Sequence, residues 1–148
     1  MALAGGCRCG ACRYELDYDS IPATYACHCL DCQKMTGSGF SEHAMIPADR
    51  FRIEGDVVQW DHPNSQRKVT SQRFCAVCKT RLYSSNEGRP GVVIVRMGTL
   101  DESTQIVPLV HLWVKRKQTW IGLPAGAETF EEGIPAERAK EIIAANFS

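Results

Sequence analysis

Eight cysteines constrain this chain of 148 residues most strongly, because they are grouped in three tight clusters. Two clusters share the spacing Cys-x-Cys-x-x-Cys, at Cys7-Arg8-Cys9-Gly10-Ala11-Cys12 and Cys27-His28-Cys29-Leu30-Asp31-Cys32, and the third is Cys75-Ala76-Val77-Cys78. Thiols one or two residues apart form poor disulfides, whereas two thiolates from one turn suit a tetrahedral Zn²⁺ ion. The clusters therefore favour metal binding over a disulfide framework.

Composition and charge narrow the function classes. Residues 1–6 lack the basic and apolar segments of a signal peptide, and no apolar run approaches the roughly 20 residues of a membrane helix. The 17 Lys and Arg residues balance 17 Asp and Glu residues, whereas nucleic-acid binding through phosphates needs a basic surface. The sequence predicts a cytoplasmic protein with neither a nucleic-acid nor a membrane partner.

The eight thiols divide either as four plus four or as four plus three with one left over. Cys12 is the best candidate for the spare thiol, because it is in phase with Tyr14 and Leu16 along an alternating strand pattern. A cysteine on that apolar face behaves as a small buried hydrophobic residue. Cys7 and Cys9 then need two distant partners, which Cys75 and Cys78 can supply to complete a closed four-cysteine site.

Cys27, Cys29 and Cys32 remain for a second ion. Three protein ligands leave a fourth position open, which is typical of catalytic zinc, unless a histidine closes it. The four candidates are His28, His43, His62 and His111. We expect His28 to point away from the ion and shape the pocket, His43 to be an ordinary strand residue and His62 to lie in a solvated turn.

Short alternating runs separated by turns predict a mainly-β fold. They cover residues 13–17, 40–46, 51–53, 57–60, 68–74, 81–84, 92–97 and 107–114. A helix is predicted at 136–146, after Pro135, and a short helical turn from Cys32 to a stop at Gly37. No linker or composition break interrupts the chain, so residues 1–148 are predicted to form a single domain.

Three ordered cysteine motifs and two later segments resemble the glutathione-dependent formaldehyde-activating enzyme family, which also contains centromere protein V. The matching segments are Gly6-Cys7-Arg8-Cys9-Gly10, Cys27-His28-Cys29-Leu30-Asp31-Cys32 with Gly37-Ser38, Phe74-Cys75-Ala76-Val77-Cys78, Gly98-Thr99-Leu100-Asp101 and His111-Leu112-Trp113-Val114. The chain departs from the family in one turn, where Lys79-Thr80 follows the last ligand instead of Gly-Ser or Gly-Thr.

This resemblance implies a β-tent fold, in which small antiparallel sheets surround a structural zinc held by Cys7, Cys9, Cys75 and Cys78. It implies a second, catalytic zinc at Cys27, Cys29 and Cys32. The implied activity is that of a carbon–sulfur lyase like S-(hydroxymethyl)glutathione synthase, acting on adducts of glutathione, or a similar thiol, with formaldehyde or another small aldehyde.

Further residues are candidates for holding the thiol. Lys34, Arg73 and the backbone of residues 36–38 are close in sequence to the clusters and could bind carboxylates. His111, Trp113 and Trp120 could line a pocket, although we expect the tryptophans to pack in the core.

Two alternatives stay open at this point. One is a non-enzymatic zinc module that binds a thiol or a protein partner on the same fold. The other is a redox enzyme resembling methionine sulfoxide reductase B, whose chemistry needs an exposed thiol outside the metal sites. Only Cys12 is unassigned, and its phase predicts burial, which disfavours the redox alternative.

Overall fold

The computed structural model describes residues 2–148, and Met1, part of the segment considered above for a signal peptide, lies outside them. The described residues form eleven strands and two α-helices. The strands are β1 (Leu3–Gly6), β2 (Arg13–Leu16), β3 (Tyr25–Cys27), β4 (Ser41–Pro47), β5 (Phe51–Glu54), β6 (Val57–Pro63), β7 (Val69–Cys75), β8 (Arg81–Asn86), β9 (Val92–Arg96), β10 (Val110–Leu112) and β11 (Glu128–Thr129). The helices are α1 (Leu30–Thr36) and α2 (Ala136–Ala145). The predicted mainly-β fold with a C-terminal helix is confirmed.

The strands form two sheets. The smaller sheet has the order β1–β2–β5 and is antiparallel throughout. The larger sheet has the order β11–β10–β3–β4–β9–β8–β7–β6. In this sheet β10 runs parallel to both β3 and β11, and all the other neighbouring strands pair antiparallel. Neither helix among residues 2–148 is long and apolar enough to cross a membrane.

Strand β2 shows how the sequence pattern sets the packing. Tyr14 and Leu16 are buried while Arg13 and Glu15 are exposed, because side chains alternate across a strand. Cys12, just before the strand, is 0% exposed and joins the apolar cluster between the two sheets. The predicted phase of Cys12 with Tyr14 and Leu16 is confirmed.

A second apolar cluster lies against α2 and the parallel end of the larger sheet. Ile142 of α2 packs there with Met45 and Val110. Asn146, just after the helix, is buried, and its side-chain amide donates to the carbonyls of Ala23 and Met45. These bonds fix the helix against β4, one of the strands beneath the candidate site.

Several element boundaries differ from the prediction. The run 107–114 forms a strand only at Val110–Leu112, because Pro108 precedes it and Trp113 takes a left-handed backbone conformation with φ 58°. Strand β6 continues to Pro63, so His62 lies in a strand, and its expected place in a solvated turn is wrong. Strands β1, β3 and β11, of two to four residues, were not predicted, since so short a run shows little alternation. The single domain over residues 1–148 stays a prediction.

Candidate functional site

Four cysteines from distant parts of the chain meet where the two sheets adjoin. Cys7 and Cys9 follow β1, Cys75 ends β7 and Cys78 follows it, and their sulfur atoms all lie within 4.8 Å of one another. The Sγ–Sγ distance is 3.6 Å between Cys7 and Cys9 and 3.8 Å between Cys9 and Cys75. Tetrahedral zinc with Zn–S bonds of ~2.3 Å places its sulfur ligands ~3.8 Å apart. This cluster therefore fits a zinc ion.

Backbone N–H groups point at the sulfur atoms of this four-cysteine cluster. The Cys7 sulfur accepts a hydrogen bond from the Cys12 N–H at 3.2 Å. The Cys75 sulfur accepts from the N–H groups of Val77 at 3.3 Å and Cys78 at 3.4 Å. Donors aimed at sulfur favour the thiolate, which is the form that binds a metal ion.

The turn that departs from the family pattern still closes around the sulfur. Lys79 adopts a left-handed φ of 64°, the conformation that glycine takes most easily, and its N–H donates to the Cys75 carbonyl at 3.0 Å. Thr80 Oγ1 lies 3.1 Å from Cys78 Sγ. Hydrogen bonds from the Thr80 hydroxyl and N–H lower the pKa of Cys78 to about 5. Lys79-Thr80 therefore preserves a turn suited to a thiolate ligand.

Cys12 lies beside the four-cysteine cluster but is not one of its four candidate ligands. Its thiol donates to the Asp56 carbonyl at 3.3 Å, and burial raises its pKa to about 12. It is therefore a neutral, buried thiol. Because the methionine sulfoxide reductase B alternative needs an exposed free thiol, the burial of Cys12 argues against that alternative.

The second cluster consists of Cys27, Cys29 and Cys32, whose sulfur atoms also lie within 4.8 Å of one another. Cys27 ends β3, Cys29 is the N-cap of α1, and Cys32 lies in the first turn of that helix. The helix begins at Leu30, two residues before the predicted start, and ends at Gly37 with φ 65°, as predicted. Hydrogen bonds from the Cys27 and Cys32 thiols hold the pKa of Cys29 well below its usual range.

A cavity of about 560 Å³ opens over the three-cysteine cluster, with Cys27 and Cys32 in its wall. Its apolar and aromatic lining comes from Tyr25, Met35, Trp60, Ile94, Leu112 and Trp113. Its polar lining includes Lys34, His43, Gln72, Arg81, Ser84 and Arg96. The cavity therefore combines thiols, cations and an extensive apolar wall in one place.

Arg96 organises the polar part of the cavity, although it is only 7% exposed. Its guanidinium donates to His43 Nδ1 at 2.8 Å, to Gln72 Oε1 at 2.9 Å and to Ser84 Oγ at 3.1 Å. Its Nε atom is buried without a hydrogen-bond partner among the described residues. Burial, with the nearby Arg81 charge, lowers the pKa of Arg96 to about 9, so the group remains a cation at neutral pH.

His43 is a neutral imidazole facing the thiols. Burial and the Arg96 and Arg81 charges hold its pKa well below the usual histidine value. Since Nδ1 accepts from Arg96, the ring proton resides on Nε2, which lies 3.9 Å from Cys32 Sγ. The Tyr25 ring stacks on the imidazole at a centroid distance of 5.0 Å. His43 is thus a polar neighbour of the cluster and not only an ordinary strand residue.

Other histidines and cations differ from the sequence expectations. His28 points away from the thiols as predicted, but it does not line the cavity, and its Nε2 lies 3.0 Å from His111 Nδ1 in the interior. Arg73 lies over the Tyr83 ring at 5.4 Å and is not part of the cavity wall. Lys34 does line the cavity, as its proximity in sequence to Cys32 suggested.

The tryptophans follow the expected core packing only in part. Trp113 packs against the apolar cluster beside α2 and also contributes to the cavity wall, whereas Trp120 is 77% exposed and lies outside it. Trp60 and His62 stack at 4.4 Å on β6, and both face the cavity. Arg81 and Arg96 were missed by the sequence analysis. The one available signal was a cation ending the otherwise apolar run 92–96.

Comparisons with known proteins agree with this geometry. The family model described as glutathione-dependent formaldehyde-activating enzyme matches residues 2–116. A curated protein of Halomonas elongata, assigned by its name to this enzyme, is 25% identical over 126 residues, which cover 82% of this chain and 80% of the relative. A crystal structure of a Rhodobacter sphaeroides protein shares the fold, with a TM-score of 0.53 at 18% identity, over 72% of this chain and 98% of that one.

Proposed function

The chain belongs to the glutathione-dependent formaldehyde-activating enzyme family, and from this premise we propose that it is a zinc-dependent carbon–sulfur lyase. Its reaction joins glutathione, or a similar thiol, to formaldehyde or another small aldehyde, and the reverse reaction cleaves the adduct. The observation that carries the proposal is the three-thiol cluster of Cys27, Cys29 and Cys32 at a cavity wall that also presents Arg81 and Arg96.

The two cysteine clusters are assigned different roles. Cys7, Cys9, Cys75 and Cys78 would hold a structural zinc, because four thiolates complete its tetrahedral shell. Cys27, Cys29 and Cys32 would hold a catalytic zinc. Bound there, a Zn²⁺ ion supplies an open fourth position that promotes deprotonation of a thiol.

The proposed reaction is balanced without a further reactant. The thiolate sulfur attacks the carbonyl carbon, the C–S bond forms as the C=O π bond opens, and the oxygen takes up the proton that the thiol lost. Arg81 and Arg96 place positive charge beside the thiolate and stabilise it. The Nε2–H of His43 lies 3.9 Å from the Cys32 sulfur and orients that ligand.

The peptide part of glutathione requires partners for its carboxylates. Lys34 borders both the large cavity and a shallow surface depression that includes Gln33, Gly37 and Ser38. We assign the peptide to this surface, with one carboxylate on the Lys34 ammonium. A cytoplasmic location belongs to the same proposal, since metal-binding thiolates must stay reduced.

Cobalt substitution tests the proposed function directly. With cobalt in both sites, adding glutathione should raise the thiolate-to-cobalt absorption, as one site gains a sulfur ligand and changes from three to four. Formaldehyde added next should shift that absorption as the C–S bond forms. If millimolar glutathione leaves the spectrum of the fully loaded protein unchanged, the lyase proposal fails. The non-enzymatic zinc module then becomes the better assignment.

A further inference from the structure

The cavity over the three-cysteine cluster is far larger than formaldehyde requires. Formaldehyde has two heavy atoms, whereas the cavity volume of about 560 Å³ lies in the range of sites that enclose drug-sized ligands. The charged ends of glutathione are assigned above to the Lys34 surface. Most of the interior volume therefore remains for the group that the carbonyl carbon carries.

The residues that line the cavity define the chemistry of the group that the carbonyl carbon carries. Tyr25, Ile94 and Leu112 supply interior apolar wall, and Met35, Trp60 and Trp113 complete it. An apolar wall gains free energy by covering apolar ligand surface, and flat rings pack against aromatic side chains at little entropic cost.

The positive charges deep in the cavity are already balanced, so they do not require a second acidic group on the substrate. Arg81 and Arg96 are adjacent to the thiols, and the guanidinium of Arg96 already donates to His43, Gln72 and Ser84. Their positive charge is matched by the cysteine thiolates and by the thiolate of the substrate. The other charged residues of the wall, Asp31 and Lys34, are exposed and of opposite sign, and the rest of the wall is uncharged, so the substituent on the aldehyde is uncharged as well.

Two aromatic residues are held in unusual arrangements at this wall. Trp113 has a left-handed backbone with φ 58°, a costly conformation for a bulky residue, and its N–H donates to the Glu132 carbonyl at 2.9 Å. Trp60 is 50% exposed on β6, the edge strand of the larger sheet, and stacks on His62. An exposed tryptophan beside an apolar cavity is an unused contact surface for a ligand.

We propose that the carbonyl substrate is an uncharged aldehyde with an apolar substituent of about the size of a six-membered ring, held between Trp60 and Trp113. This inference rests on the proposed function and specifies its substrate. The bond changes are those given above, with the C–S bond formed at a carbonyl carbon that carries the apolar group in place of hydrogen.

Two stable thioethers test this substrate class by equilibrium binding. S-Methylglutathione represents the one-carbon adduct and S-benzylglutathione the adduct of a ring-bearing aldehyde, and calorimetry on the zinc-loaded protein measures both dissociation constants. We expect the benzyl compound to bind at least about tenfold more tightly, because its ring is buried in the cavity. Equal affinities would overturn the inference.

Variants of the wall residues test whether the benzyl-over-methyl preference arises in this cavity. Trp60→Ala should reduce the benzyl-over-methyl preference by about fivefold, since a ring–ring contact is lost. Met35→Ala, on another element of the same wall, should reduce it independently. Trp120→Ala removes a more exposed tryptophan outside the cavity and should leave the preference unchanged. A preference that survives both Trp60→Ala and Met35→Ala contradicts the proposed site.

The cobalt experiment separates the two possible failures. If glutathione adds a sulfur ligand to the cobalt protein but the two thioethers bind equally, the proposed function stands and the apolar substrate class is wrong. If glutathione adds no sulfur ligand and neither thioether binds, the proposed function fails and the substrate inference fails with it.

Discussion

The Sγ atom of Cys29 accepts a hydrogen bond from the backbone N–H of Cys32 at 3.3 Å, so one proposed zinc ligand caps the helix that carries the next. An N-cap acceptor satisfies one of the free N–H groups at a helix start, and negative charge is stabilised there by the helix dipole. The same contact therefore orders α1 and favours the Cys29 thiolate. Local helix chemistry and metal binding are coupled at this residue.

The first prediction concerns that coupling. Cys29→Ser should abolish the exchangeable zinc and glutathione binding, while serine, a good N-cap, keeps α1 in place. The fold should survive because the four-cysteine cluster is untouched. Zinc content, glutathione titration and circular dichroism measure these effects, with Cys29→Ala as the variant that also loses the cap.

A chelator supplies the complementary observation on the unmodified protein. One zinc equivalent, bound by three protein ligands, should leave first, and the second should leave only with unfolding. Simultaneous loss of both ions with the fold would contradict the assignment of a separate, exchangeable site at Cys27, Cys29 and Cys32.

The second prediction tests the structural site. Cys75 is 0% exposed and ends β7, and its sulfur is the acceptor for two backbone N–H groups. Cys75→Ser should lose the structural zinc and most of the folded population, since zinc binding contributes on the order of 10 kcal/mol to folding in small zinc domains. Thermal unfolding and zinc content check this result. A variant that melts like the parent with equal zinc would refute the assignment.

The third prediction concerns Cys12, which lies beside the four-cysteine cluster and serves as the control for Cys75. Cys12 is as buried as Cys75, but its thiol donates to a carbonyl and stays protonated. Cys12→Val should therefore keep the full zinc content, with a change in the free energy of unfolding below about 1.5 kcal/mol. Loss of one zinc equivalent in this variant would mean that Cys12 is a ligand after all.

The division of the cysteines was accessible from sequence because it depends on local rules. Strand phase separated Cys12 from the ligand candidates, turn spacing grouped the thiols within each motif, and elimination paired Cys7 and Cys9 with Cys75 and Cys78. The network around Arg96 was not accessible in this way. Arg96 lies opposite His43 across β4 and β9, and Gln72 lies opposite Ser84 across β7 and β8. These neighbours are set by strand order and register, which short alternating runs do not encode.

Arg73 and Arg81 illustrate the same limit at the scale of single side chains. Arg73 lies just before the third cysteine cluster and Arg81 lies just after it. Proximity in sequence favoured Arg73 as a contact for the carboxylates of the thiol substrate. In the fold, Arg73 turns to the Tyr83 ring while Arg81 lines the cavity. The register of the β7–β8 pairing shifts between Arg73 and Phe74. This irregularity determines the face of the sheet on which each of the two arginine side chains lies.

The fourth prediction uses that pair of arginines. The Arg81 guanidinium donates to Ser41 Oγ at 3.3 Å and to the Cys32 thiol, so Arg81→Gln removes contacts at the cavity and should leave the fold largely intact. Removing its charge from beside the thiols should weaken glutathione binding about tenfold, the effect of losing one charge-assisted contact. Arg73→Gln, outside the cavity wall, should bind glutathione like the parent protein. Cobalt titration with glutathione measures both affinities. Equal weakening in the two variants would show that the effect is a general loss of positive charge and not a contact within the cavity.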